Sequence, residues 1–126
     1  MLLGNLLRFT SKKYRKIPVT GISFDSRKVK KNDIFFAIRG NQTSGAKFIN
    51  HALLKGASAI VSSKKVKYNN YKTPFFLVND VRKSLTQACS NLYKEKPQNI
   101  IAVTGTNGKS SVADFFYQIL ILNKIC

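Results

Sequence analysis

Acidic side chains are scarce in this sequence. Asp25, Asp33, Asp80, Glu95 and Asp114 stand against 22 lysines and arginines, a formal net charge of +17. Cysteine is scarcer still. Cys89 and Cys126 lie far apart, so no metal-ligand spacing exists and no disulfide framework is expected; two reduced thiols in the cytoplasm are the expected state. His51 is the single histidine, on a predicted helix with neither cysteine nor acid beside it, and reads as a structural or surface residue. No apolar run approaches the roughly 20 residues of a membrane-spanning helix. The N-terminus, MLLGNLLRFTSKKYRK, carries its charges after the apolar stretch and has no small-residue cleavage site, which is not the order of a signal peptide. Leu2, Leu3, Leu6 and Leu7 instead suit one face of a short docked helix. Internal repeats and low-complexity tracts are absent.

What the chain has is a hydrophobic content of 44% over 126 residues, enough for a globular domain with a real core. The excess positive charge would attract polyanions. It is spread along the whole chain, however, as in Lys12-Lys13, Arg27-Lys28, Lys30-Lys31, Lys64-Lys65 and Lys94. It therefore reads as a solvated surface rather than a nucleic-acid interface. A nucleic-acid-binding basic protein stays as a rival reading, marked by a steep salt dependence of DNA or RNA affinity.

Strand-like and helix-like segments alternate, the pattern of an α/β fold. Val19 to Phe24, Ile34 to Ile38, Ala59 to Val61 and Phe75 to Val78 are predicted strands. Ala46 to Lys55 is a predicted helix with Phe48, Ile49, Ala52 and Leu53 as its inner stripe, ended by Gly56. Asp80 is placed to cap a helix from Val81 to about Lys94, with Leu85, Ala88, Cys89 and Leu92 facing inward. Lys64 to Thr73 reads as a surface loop, and Pro97 sits in a helix-stopping linker.

Residues 100–111, IIAVTGTNGKSS, combine an apolar strand, a small-residue turn, a lysine and two hydroxyls. Such a turn lets backbone N–H groups approach a polyphosphate, while Lys109 adds positive charge and the Ser110 hydroxyl can join the coordination sphere of Mg²⁺. A helix opening here would aim the positive end of its dipole at the same phosphates. The pattern is tighter than the general P-loop, with Val103 where that motif has its first glycine and Gly105 in its place. Gly105, Thr106, Asn107, Gly108, Lys109, Ser110 and Ser111 are the expected nucleotide-binding residues. No acid ends a strand downstream of Lys109, so the Mg²⁺ site is incomplete. The unit 98–126 has a strand, a loop and a helix but no sheet to bury them, and reads as the opening of a truncated second domain.

The segments DSRKVKKNDIFFAIRG, NQTSGAKFI, ALLKGASAIV, VRKSL and AVTGTNGKSS, in that order, resemble the Mur ligase family from residue 19 to about 120. The resemblance implies a UDP-substrate-binding N-terminal domain at 1–97, then at 98–126 the first strand, P-loop and helix of an ATPase domain. It implies an ATP- and Mg²⁺-dependent ligase of peptidoglycan precursor synthesis, cytoplasmic and monomeric, acting on a UDP-N-acetylmuramoyl dipeptide. The TGTNG spelling and the DSR segment point to the branch that adds the third stem-peptide amino acid, meso-diaminopimelate or lysine, through an acyl phosphate. The branch adding D-Ala-D-Ala and a non-catalytic UDP-sugar-binding fragment remain the alternatives. By resemblance Phe24 and Ser26 contact the UDP moiety, as do Asn41, Gln42 and Thr43, with Asn41 standing where relatives often carry histidine. Arg27 offers a charge to neutralise phosphate, and Lys109 acts on the β/γ end of ATP. Ser110 and Ser111 replace the usual threonines and keep the hydroxyl. The fragment alone is expected to have no ligase turnover.

Overall fold

The structure is a computed structural model that describes residues 1–40, 43–66, 72–93, 95, 97 and 99–124. The chain divides into two compact units, Met1–Lys94 and Glu95–Cys126.

The first unit is built on a four-stranded sheet, with β1 at Gly21–Ser23, β2 at Asp33–Ala37, β3 at Ala59–Ser62 and β4 at Phe75–Leu77. All neighbours are parallel and the strand order follows the sequence. Ile34 pairs with Ile22 on one side and Ala59 on the other. Every residue of β2 and β3 is buried, which is why both read as short apolar runs without polar alternation.

Because side chains alternate across a strand, the sheet sorts its residues into two cores. Ile34, Phe36, Ala59 and Val61 pack with Leu3, Leu6, Leu7, Val81 and Ala88, which come from helix α1, Leu3–Leu6, its C-cap, and helix α3, Val81–Leu92. Phe35, Ala37 and Ile60 pack on the opposite face with Ile49, Ala52 and Ala57, contributed by helix α2, Ile49–Leu54, and the residues after it. The expected apolar face of α1 holds except for Leu2, which is 43% exposed.

Two helix ends follow their sequence signals. The Asp80 carboxylate accepts from the Lys83 N–H at 3.0 Å, satisfying a first-turn donor that lacks an intrahelical partner. After α2, the Gly56 N–H donates to Leu53 and the Ala57 N–H to Ala52, at 3.0 and 3.1 Å, the paired bonds of a Schellman closure.

Three expectations need correction. The segment 46–55 starts as a 3-10 helix, Gly45–Phe48, before α2; this turns Phe48 out of the inner stripe and leaves it 43% exposed. On α3, Ala88 is buried and Leu85 and Leu92 pack partly buried against the core as expected, but Val81 and Ser84 join the buried face and Cys89 is only half-buried, outside the core cluster. The predicted strand at 100–103 is not formed. A strand is defined by a hydrogen-bonded neighbour, and the described residues of its own unit contain no other strand; Ile100 and Ile101 are accordingly exposed. The predicted loop 64–73 falls partly, at 67–71, outside the described residues.

The second unit is dominated by helix α4, Lys109–Leu122, none of whose residues is buried. Val112, Phe115, Tyr117, Ile119, Ile121 and Leu122 are all exposed, although a helix this apolar outside its Ser110, Asp114 and Gln118 stripe has the composition of a largely enclosed one.

Candidate functional site

A cleft of ≈ 720 Å³ opens at the C-terminal ends of β1 and β2, within the roughly 300–1,000 Å³ of small-molecule sites. That is the end of a parallel sheet where ligands characteristically bind. The turn after β1 supplies Phe24, Asp25, Ser26 and Arg27; the segment after β2 supplies Ile38, Gly40, Thr43, Gly45 and Phe48; α3 supplies Arg82 and Leu85.

The β1 turn is tightly fastened. Asp25 Oδ1 accepts from the Arg27 backbone N–H at 3.0 Å. The Arg27 guanidinium grips the same carboxylate with Nε–H to Oδ1 at 3.0 Å and Nη2–H to Oδ2 at 2.8 Å, the two-pronged geometry that suits this pair. The Arg27 side chain and then its backbone N–H hold the Asp25 pKa down at about 2, and the pair raises that of Arg27. From the other side, α2 ties the turn down: His51 Nδ1 is hydrogen-bonded to Ser26 Oγ at 3.1 Å, and the Lys55 ammonium donates to the Arg27 carbonyl. Ser26 is thereby 6% exposed while Phe24 stands 66% exposed.

The loop after β2 is pinned by close backbone approach. The Gly45 N–H donates to the Ile38 carbonyl at 2.9 Å and the Gly40 N–H to that of Thr43 at 2.9 Å. A Cβ on Gly45 would lie 2.5 Å from the Ile38 oxygen and 2.7 Å from the Ala37 carbonyl carbon, so only glycine lets the loop cross the strand end. Thr43 reaches the cleft; Asn41 and Gln42 lie outside the described residues.

Of the sequence-derived substrate residues, the structure brings Phe24, Ser26 and Thr43 to one cleft. It adds Phe48, Arg82 and, behind Ser26, His51, none of which the sequence reading placed there. Arg82 sits in the exposed first turn of α3 and reads as a solvated helix charge. His51 is 25 residues from Ser26, and no local pattern links them.

In the second unit, Gly108 has φ +72 and forms the N-cap of α4. Nothing lies within 4 Å of its Cβ position, so the left-handed backbone alone demands glycine there. The Lys109 ammonium folds back onto the carbonyls of Gly105 and Thr106, closing the turn through Asn107. The first intrahelical donor is Val112, to Gly108 at 3.0 Å. The N–H groups of Lys109, Ser110 and Ser111 therefore have no intrahelical acceptor and face the loop end. All seven residues of the phosphate-loop motif are exposed and contiguous in this unit.

The family model described as "Mur ligase family, catalytic domain" matches residues 18–107. The chain belongs to the Mur ligase family. Among curated Mur ligases, the UDP-N-acetylmuramoyl-L-alanyl-D-glutamate–2,6-diaminopimelate ligase of Rickettsia montanensis is 43% identical over 105 residues, 83% of this chain but 22% of the relative. A solved UDP-N-acetylmuramoyl-L-alanyl-D-glutamate–2,6-diaminopimelate ligase matches with TM-score 0.76 and 27% identity, covering 98% of this chain and 26% of that one. The MurF ligase of Thermotoga maritima in complex with ADP matches with TM-score 0.65 and 27% identity, over 81% of this chain and 23% of that one. This Mur ligase chain thus spans about a fifth of the length of its curated relatives. The α/β fold with a parallel sheet is the fold of these structures.

Proposed function

We propose that residues 1–97 are the UDP-substrate-binding domain and 98–126 the opening of the ATP-binding domain of an enzyme that extends the peptidoglycan stem peptide by its third amino acid. The resemblance to 2,6-diaminopimelate ligases favours diaminopimelate over lysine as that amino acid. It also favours this branch over D-Ala-D-Ala addition: the diaminopimelate ligase structure matches over more of the chain than the MurF structure does. In this reading the enzyme is a cytoplasmic monomer; among the described residues, no helix is long and apolar enough to cross a membrane.

The observation that carries the reading is the cleft at the strand ends. Two exposed rings, Phe24 and Phe48, offer flat apolar surface to a base, and such stacking contributes about 1–3 kcal/mol per base. Ser26 and Thr43 supply hydroxyls that donate and accept. The cleft carries two arginines against one aspartate, a balance suited to a diphosphate.

The start of α4 fits a triphosphate. Its N–H groups without an intrahelical acceptor and the helix dipole face the loop end, and Lys109 carries its charge in the same turn, held on the Gly105 and Thr106 carbonyls. Bound ATP would supply the phosphoryl group that activates the substrate's terminal carboxylate toward an amine. Lys109 and the N–H groups of residues 109–111 would hold and orient that group. The donors for Mg²⁺ are insufficient here: Ser110 offers one hydroxyl, and no group of three His, Cys, Asp or Glu side chains exists among the described residues.

Thermal denaturation tests the reading. UDP-N-acetylmuramoyl-L-alanyl-D-glutamate and UDP are expected to raise the unfolding midpoint, while duplex DNA at equal phosphate concentration leaves it unchanged. Protection by DNA and none by UDP would instead favour the nucleic-acid reading.

A further inference from the structure

The two arginines of the cleft differ in their commitments. Arg27 is bound to Asp25 through both prongs of its guanidinium and through its backbone N–H. Recruiting it to a ligand would mean breaking a charge-assisted pair, and its carbonyl is held by Lys55 as well. Arg82 has one hydrogen bond among the described residues, to the Arg39 carbonyl at 3.5 Å, the outer limit of such contacts. Its nearest acid in sequence, Asp80, is occupied by the Lys83 N–H. A guanidinium has five N–H donors, so Arg82 keeps most of its capacity beside two exposed aromatic rings.

We propose that Arg82 is the phosphate-binding residue of this cleft, contacting the anionic portion of a nucleoside diphosphate while Arg27 serves only to hold the β1 turn. The inference rests on the UDP-binding reading above and gives to Arg82 the phosphate role that the sequence reading offered to Arg27. The ligand's flat base lies toward Phe24 and Phe48, and its charge toward the first turn of α3. Arginine suits phosphate because its planar fork donates twice to one group, whereas lysine offers a point charge.

The test compares uridine, which has the base and sugar but no phosphate, with UDP. Both are titrated by NMR into the full 126-residue chain and its variants. Arg82→Gln is expected to weaken UDP roughly tenfold or more while leaving uridine within about twofold. Arg82→Lys falls between, and Arg27→Gln weakens UDP less than Arg82→Gln does. Raising salt weakens UDP on the wild type more steeply than on Arg82→Gln. Equal loss of uridine and UDP in Arg82→Gln would overturn the proposal, as would unchanged UDP affinity or a larger loss in Arg27→Gln. A wild-type chain that binds neither ligand would overturn the UDP reading itself, an outcome distinct from failure of the Arg82 assignment.

Discussion

Replacing Gly45 with alanine should damage the cleft and the sheet together. The new Cβ would sit 2.5, 2.7 and 2.8 Å from the Ile38 oxygen, the Ala37 carbonyl carbon and the Ile38 nitrogen. These are backbone atoms at the end of β2, so no flexible side chain can swing aside. Phe36 and Ala37 are 0% and 3% exposed, and moving them would disturb both cores. The cheaper response is for the loop to lift away, losing the 2.9 Å bond from Gly45 to Ile38. Overpacking costs about 1–3 kcal/mol and a lost backbone hydrogen bond about 0.5–1.5 kcal/mol, so a loss of about 2 kcal/mol or more is expected. For a unit of this size that lowers the melting temperature by roughly 8–16 °C. Circular dichroism on heating reads the shift, and UDP titration reads the displaced Thr43. A control, Gly108→Ala, meets no atom within 4 Å and should leave the first unit's melting unchanged. A Gly45→Ala protein that melts within about 2 °C of wild type and binds UDP normally would refute the reasoning.

Other expectations follow from single contacts. Asp80→Ala removes the cap of α3 and should cost about 1 kcal/mol in urea unfolding, with Asp80→Asn close to wild type. The Asp25 carboxyl, held at about 2 against an ordinary 3.8, contributes stability that is fully present above pH 3.8 and disappears as the pH falls through about 2; NMR titration of the carboxyl should show Arg27→Gln returning it toward the ordinary value. His51→Ala leaves the buried Ser26 hydroxyl without its partner and should destabilise the first unit by roughly 1 kcal/mol, readable in the same urea experiment. Lys109→Ala should weaken binding of a fluorescent ATP analogue roughly tenfold without changing UDP affinity.

The parts of the fold written in local chemistry were legible. Asp80 and Gly56 mark helix ends because capping depends on adjacent backbone groups, and the apolar runs at 34–38 and 59–61 mark buried strands. The run at 100–103 has the same appearance, but strand formation needs a neighbouring strand and its own unit offers none among the described residues. Phe48 was misplaced because a 3-10 start changes the angular phase of the following side chains, which the apolar spacing does not reveal. In the cleft, Phe24, Ser26 and Thr43 came from matching segments. Arg82 and His51 escaped because their relevance arises only when the sheet brings α2 and α3 beside the β1 turn.

The central claim is that the strand-end cleft binds the UDP-linked substrate. An NMR titration of isotope-labelled chain with UDP-N-acetylmuramoyl-L-alanyl-D-glutamate tests it most directly. Saturable shifts should concentrate at residues 24–27, at Thr43 to Phe48 and at Arg82, with the outer residues of α4 unmoved. Saturable shifts centred elsewhere, or none at millimolar substrate, would contradict it.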